Sequence, residues 1–223
     1  MKAIQEATAS EPLTLDEEYE NQQSWRASHD KLTFIVCEPL SRADLASSAV
    51  RANVVDADDK MRGDINFFMY RDDPDGDQED GDGDGDGDGD GDEQAPTNSQ
   101  TRLRGEIDVM IAEKGHWRRG YGSASVAALL VYIRKNLRRI IDEYAAGEGI
   151  QERQPQMAGL MAKIQEANAG SRALFQKLGF KQTGEVNYFG EVMMVMSWEE
   201  AERLVDGWLC SGGEVCREVG YEM

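Results

Sequence analysis

Gly115-His116-Trp117-Arg118-Arg119-Gly120-Tyr121-Gly122-Ser123 stands between an alternating stretch and a long amphipathic one. Upstream, residues 104–111 read Arg-Gly-Glu-Ile-Asp-Val-Met-Ile, a strand with Ile107, Val109 and Ile111 on its inward side. Downstream, Val126, Leu129, Leu130, Ile133 and Leu137 recur at helical spacing. They predict a helix over 123–139, with basic residues in its last turns that suit the helix dipole. The first N–H groups of a helix have no partner within it, and the macrodipole adds positive potential there, so a pyrophosphate can be held without a lysine. Gly120 and Gly122 lack the Cβ atoms that would keep a phosphate from those amides, and Arg118 and Arg119 can add charge from the side. A tight turn needing positive φ is the alternative use of the same glycines.

The surrounding chain reads as a mixed α/β (α+β) domain. Thr14 followed three residues later by Glu17 is a capping box, opening a helix that runs to about Ser28. Leu-Thr-Phe-Ile-Val-Cys at 32–37 is a strand stopped by Pro39, and a helical or loop connection over 42–59 leads to a strand over 63–70 with Ile65, Phe67 and Met69 on one face. After the long helix come a loop over 145–155, a strand over 159–164 and a helix over 169–178 stopped by Gly179. Residues 185–189 and 192–198 read as a closing antiparallel pair, and 199–223 as a tail, helical to about Leu209.

The 223 residues carry a net charge of −19, and 13 of the acidic residues, with no Lys or Arg among them, fall within 72–98. Closely spaced carboxylates repel and glycine maximises unfolded entropy, so this Asp-Gly repeat is expected to be a disordered insert between two strands. Its match to the EF-hand loop pattern at 82–93 follows from the repeat itself, has no flanking helices and puts Gly89 at the usual apolar position. The charge argues against nucleic-acid binding. Cys37, Cys210 and Cys216 form no C-x-x-C pair, which suits a reducing compartment, so a cytoplasmic location is expected. No window approaches a membrane span, and two histidines, His29 and His116, give no metal-site spacing.

A P-loop would need Gly-Lys-Ser/Thr, and a dinucleotide fingerprint would need Gly or Ala where Ser125 stands. The turn, together with Asn168-Ala169-Gly170-Ser171-Arg172-Ala173-Leu174-Phe175-Gln176-Lys177-Leu178-Gly179-Phe180, instead resembles the GNAT acetyltransferases and their R/Q-x-x-G-x-G/A coenzyme A motif. Ala9-Ser10-Glu11-Pro12-Leu13-Thr14-Leu15-Asp16-Glu17-Glu18-Tyr19, then Ser24-Trp25-Arg26, Asp30-Lys31-Leu32-Thr33-Phe34-Ile35-Val36 and 105–113 look like the N-acetyltransferase 9-like branch.

The resemblance implies a mostly antiparallel sheet flanked by helices, with a partial N-terminal helical segment at 1–32, the acetyltransferase domain at 33–198 and a tail at 199–223. It also implies acetyl-CoA as cosubstrate, no metal, and a protein amine as acceptor, most of all an N-terminal α-amino group of a tubulin-like protein. Nucleic acid and membrane are not implied partners. By similarity, backbone groups of Val109, Met110 and Ile111 hold the pantetheine arm and acetyl carbonyl, and Arg118, Arg119, Gly120, Tyr121, Gly122 and Ser123 hold the pyrophosphate. Asn168 touches the coenzyme. Glu106 is the candidate general base, against a polar strand face as its alternative use; Tyr188 or Tyr121 is the candidate acid for the leaving thiolate. Trp117 replaces the motif's usual Arg or Gln, and Phe175 stands where many of these enzymes have Tyr. The family's first strand has no counterpart in the sequence, so a non-catalytic or shortened relative that binds coenzyme A is the other expectation.

Overall fold

The computed structural model describes residues 13–72, 101–151, 155–210 and 217–222. The capping box forms as the sequence indicates. Thr14 Oγ1 accepts from the Glu17 N–H at 3.4 Å while the Glu17 carboxylate takes the Thr14 N–H at 2.7 Å, starting helix α1 (Leu15–Ala27). Strand β1 (Lys31–Cys37) follows, then a short helix α2 (Arg42–Ala46), strand β2 (Ala49–Arg51) and β3 (Met61–Arg71). The remaining elements are β4 (Arg102–Ile111), α3 (Tyr121–Gly147), β5 (Gln156–Gln165), α4 (Ala169–Leu178), β6 (Lys181–Thr183), β7 (Glu191–Ser197), α5 (Trp198–Cys210) and β8 (Gly220–Glu222). The Asp-Gly insert lies outside the described residues. At its edge, Asp72 is held by Arg104 at 2.6 Å.

Six strands form one sheet in the order β1-β3-β4-β5-β7-β6, antiparallel everywhere except between β4 and β5. The period of two decides its faces. Ile65, Phe67 and Met69 of β3, Leu103 and Ile107 of β4, and Leu160, Ala162 and Ile164 of β5 are buried with Val126, Leu129, Leu130 and Ile133 of α3. The opposite face carries Asp64, Asn66, Phe68 and Tyr70 of β3 and, through the register, Glu106, Asp108 and Met110 of β4. Trp25 of α1 meets this face edge-on at Phe68, with ring centroids 6.3 Å apart.

Three expectations change. Helix α3 runs eight residues past Arg139 because Ile141, Tyr144 and Ala145 continue its buried stripe. Its last turn therefore has no basic residue, and Arg138 is instead paired along the helix with Asp142 at 2.7 Å. The partner of β7 is Lys181–Thr183, not 185–189. Asn187 explains this, since its side-chain oxygen accepts from the N–H groups of Phe189 and Glu191 and folds that segment into a turn. Finally, the segment after β7 joins the core: Trp198, Ala201 and Val205 of α5 are buried in it, and β8 pairs in parallel with β2.

Candidate active site

The parallel pairing of β4 and β5 starts at Arg102 with Gln156 and ends at Glu106 with Met161. Beyond that pair the two strands continue, to Ile111 and Gln165, without hydrogen-bonding to each other. Val109 and Ile111 turn their backbone groups to this opening, where they have no strand partner in β5. The glycine turn follows at the end of β4. Trp117 donates its indole Nε1–H to the Ile111 carbonyl at 2.8 Å, so the residue that departs from the motif fastens the turn to the strand. The same bond occupies the Ile111 carbonyl, and the Met110 backbone is turned to β3, where its carbonyl lies against Gly63, which leaves Val109 as the free backbone on the β5 side.

Arg118 (φ 58°) and Gly120 (φ 92°) both take left-handed backbone, which turns the chain sharply into α3. The first intrahelical bond runs from the Ala124 N–H to the Gly120 carbonyl at 2.9 Å. The amides of Tyr121, Gly122 and Ser123 precede it and have no acceptor within the helix. A Cβ at Gly120 would meet nothing within 4 Å, so the turn is open above that residue. Gly122 differs: a Cβ there would stand 3.2 Å from Leu174 Cδ2, so its bare α-carbon seats α4 rather than clearing room for a phosphate. Arg119 contacts His116 at 3.4 Å, and among the described residues no carboxylate pairs with Arg118. Asn168 caps α4, its side-chain oxygen accepting from the Ser171 N–H at 3.1 Å, which leaves only its amide nitrogen for a ligand.

On the polar face at the mouth of the opening, Glu106 Oε2 lies 3.4 Å from Lys163 Nζ, with its side chain 16% exposed. Burial and the adjacent Glu106 carboxylate push the Tyr70 hydroxyl up to about 12. Two residue pairs further along, Asn66 lies opposite Asp108, is 3% exposed, and donates to Asp64 Oδ2 at 3.0 Å. Burial raises the carboxyls of Asp64 and Asp108, and the neighbouring carboxylates of Asp64 and Glu106 raise Asp108 further. Sequence reading missed this group; the polar alternation at Asp64, Asn66, Glu106 and Asp108 was its signal.

The other candidates lie apart from this cluster. Tyr188 is 96% exposed in the β6–β7 turn, stacked edge-on against Phe189 alone among aromatic rings. Phe175 is 2% exposed and packs on Phe180 with centroids 5.0 Å apart, a core residue with no proton to give. Among the described residues no group of His, Cys, Asp and Glu is arranged to hold a metal, and no helix is long and apolar enough to cross a membrane.

Residues 3–181 match the acetyltransferase (GNAT) domain family. An N-acetyltransferase 9-like protein of Schizosaccharomyces pombe is 37% identical over 194 residues, 85% of this chain and 80% of the relative. The Homo sapiens alpha/beta-tubulin-N-acetyltransferase 9 is 30% identical over 199 residues, 89% of this chain and 71% of that protein. Among solved structures, aminoglycoside acetyltransferase AAC(6')-Ib in complex with coenzyme A superposes with a TM-score of 0.50 at 16% identity, covering 91% of this chain and 87% of that one. That last likeness is one of fold. The chain belongs to the GNAT acetyltransferase family, in its N-acetyltransferase 9-like branch.

Proposed function

We propose that this chain, as a member of that family, moves the acetyl group of acetyl-CoA to a protein amine, with an N-terminal α-amino group of a tubulin-like protein as acceptor. The carrying observation is the loss of β4–β5 pairing beyond Glu106 and Met161, with the turn and its unpaired helix amides at the end of the same strand. These features fit acetyl-CoA. The amides of Tyr121, Gly122 and Ser123 suit a pyrophosphate, Arg118 has charge to add, and the backbone of Val109 suits the pantetheine amides. The bound thioester supplies an activated acyl carbon. The chain's own residues have to orient the amine above the opening and relieve it of a proton, and no covalent acyl-enzyme is needed.

The acceptor class is supported by the relatives in Homo sapiens and Drosophila melanogaster, whose names specify α- and β-tubulin. The polar sheet face agrees with a cationic acceptor, since its carboxylates at Asp64, Glu106 and Asp108 favour an ammonium group. With Phe175 buried in the core and Tyr188 out in solvent, the departing thiolate takes its proton from the acylated nitrogen, from water, or from Tyr121, whose side chain lies beside the Arg62 guanidinium. Incubation with labelled acetyl-CoA and peptides bearing free α-amino groups, tubulin N-terminal sequences among them, tests the reading. Label in the α-amide of the tubulin peptides supports it, and label only in lysine side chains or in no peptide overturns the acceptor assignment.

A further inference from the structure

We propose that Asp108, and not Glu106, takes the proton from the acceptor amine; the inference rests on reading the chain as an N-acetyltransferase. Glu106 belongs to the last hydrogen-bonded pair of β4 and β5, while Asp108 is the next residue on the same face, where β5 has moved away. Asp108 keeps surface in solvent, so a substrate can reach it, although neighbouring protein crowds its carboxyl. Glu106 faces a cation already, with Lys163 Nζ 3.4 Å from Oε2 as an ion pair without a hydrogen bond, and the Tyr70 hydroxyl beside it. A proton taken there would have to displace a cation.

Around Asp108 the balance is reversed. Asn66 Oδ1 and Asp64 Oδ1 are both shut off from solvent and have no donor, and among the described residues no Lys or Arg pairs with Asp64 or Asp108. Buried acceptors without donors are costly, and carboxylates crowded together favour uptake of a proton, against which the Asn66 amide works only in part. Asn66 lies across from Asp108 and holds Asp64 through its amide nitrogen, which makes Asn66 and Asp64 positioning residues. A base must hold its proton near working pH, and the crowded pair moves Asp108 in that direction.

In the step itself the ammonium passes one proton to an Asp108 carboxylate oxygen. The freed nitrogen lone pair forms the C–N bond at the thioester carbon as the C–S bond breaks. The nitrogen's second proton leaves with the thiolate as thiol, and Asp108 returns its proton to water, so one proton is released per turnover.

Steady-state acetyl transfer to the peptide labelled best by the wild type, followed across pH, tests the assignment. Asp108→Asn is expected to lower kcat by about 100-fold while the acetyl-CoA-induced rise in Tm persists. Glu106→Gln is expected to lose less than about tenfold. Formate is expected to restore part of the rate of Asp108→Ala, which a merely structural role would not allow. Asp64→Asn removes a like charge and is expected to move the acidic limb of kcat/KM to lower pH. Asp108→Asn staying within about tenfold of a transferring wild type, or an acidic limb unmoved by Asp64→Asn, overturns the assignment alone. A wild type that binds acetyl-CoA and acetylates no peptide overturns the acetyltransferase reading, and this one with it.

Discussion

The indole Nε1–H of Trp117 donates to the carbonyl oxygen of Ile111 at 2.8 Å, joining the first residue of the glycine motif to the last residue of β4. An arginine or glutamine at this place could face a ligand; the tryptophan serves the turn instead, with Lys114 Nζ 5.7 Å from its ring. Trp117→Phe keeps the ring and deletes the donor. It is expected to cost about 1 kcal/mol of folding stability by chemical denaturation and to weaken acetyl-CoA binding in calorimetry, because the helix amides lose their fixed position.

Gly63 is a close-approach glycine under the same strand. A Cβ there would lie 1.8 Å from the Met110 carbonyl oxygen, and the backbone cannot yield as a flexible side chain can. Gly63→Ala is expected to destabilise by about 3 kcal/mol or more and to push β4 at Met110, next to Val109 at the opening. Gly120→Ala has open space and meets only the cost of left-handed backbone, so a loss of about 1 kcal/mol is expected. Paired denaturant melts of the two variants separate steric from conformational cost.

Much of this was legible in the chain. The alternation at 104–111, the glycine turn, the Thr14 cap and the αL stop at Gly179 are local signals, each answered by local structure. The extent of α3 was readable too, since Ile141 and Tyr144 keep the stripe of Leu137. Two features were not local. Strand pairing at 181–183 in place of 185–189 depends on how Asn187 folds a turn, and the Asp64-Asn66-Asp108 cluster exists only once β3 and β4 adopt their register. Glu106 could be singled out as a candidate from the sequence, but its Lys163 partner lies 57 residues on and comes to it only through β5.

The raised carboxyls give a pH signature. A group whose folded pKa lies above its unfolded value contributes stability below the unfolded pKa and loses it as pH rises through the folded one. Burial puts Asp64 in this class, so it works against folding at neutral pH. Asp64→Asn is expected to raise Tm at pH 7 and to bring little gain near pH 3, read by thermal melts at both pH values.

At the other end of the sheet the sign is opposite. Lys181, at 2.7 Å, and the capping bonds with Ser197 bring the Glu200 carboxyl down to about 2. Its contribution is present above the unfolded value near 4.5 and fades as pH falls toward 2. Ser197→Ala breaks the bond that starts α5 and is expected to cost about 1 kcal/mol at pH 7. Less is lost at pH 2.5, where the cap is already weakened.

Titration of acetyl-CoA into the 223-residue chain, followed by thermal stability, shows whether the glycine turn holds the coenzyme. A ligand bound only by the native state adds about 2.7 kcal/mol at 100 times its Kd. A saturable rise in Tm is expected, and it disappears in Gly120→Glu, whose carboxylate would stand at the helix amides meant for the pyrophosphate. A wild-type Tm that does not move with acetyl-CoA, or a rise of equal size in Gly120→Glu, would contradict that role of the turn.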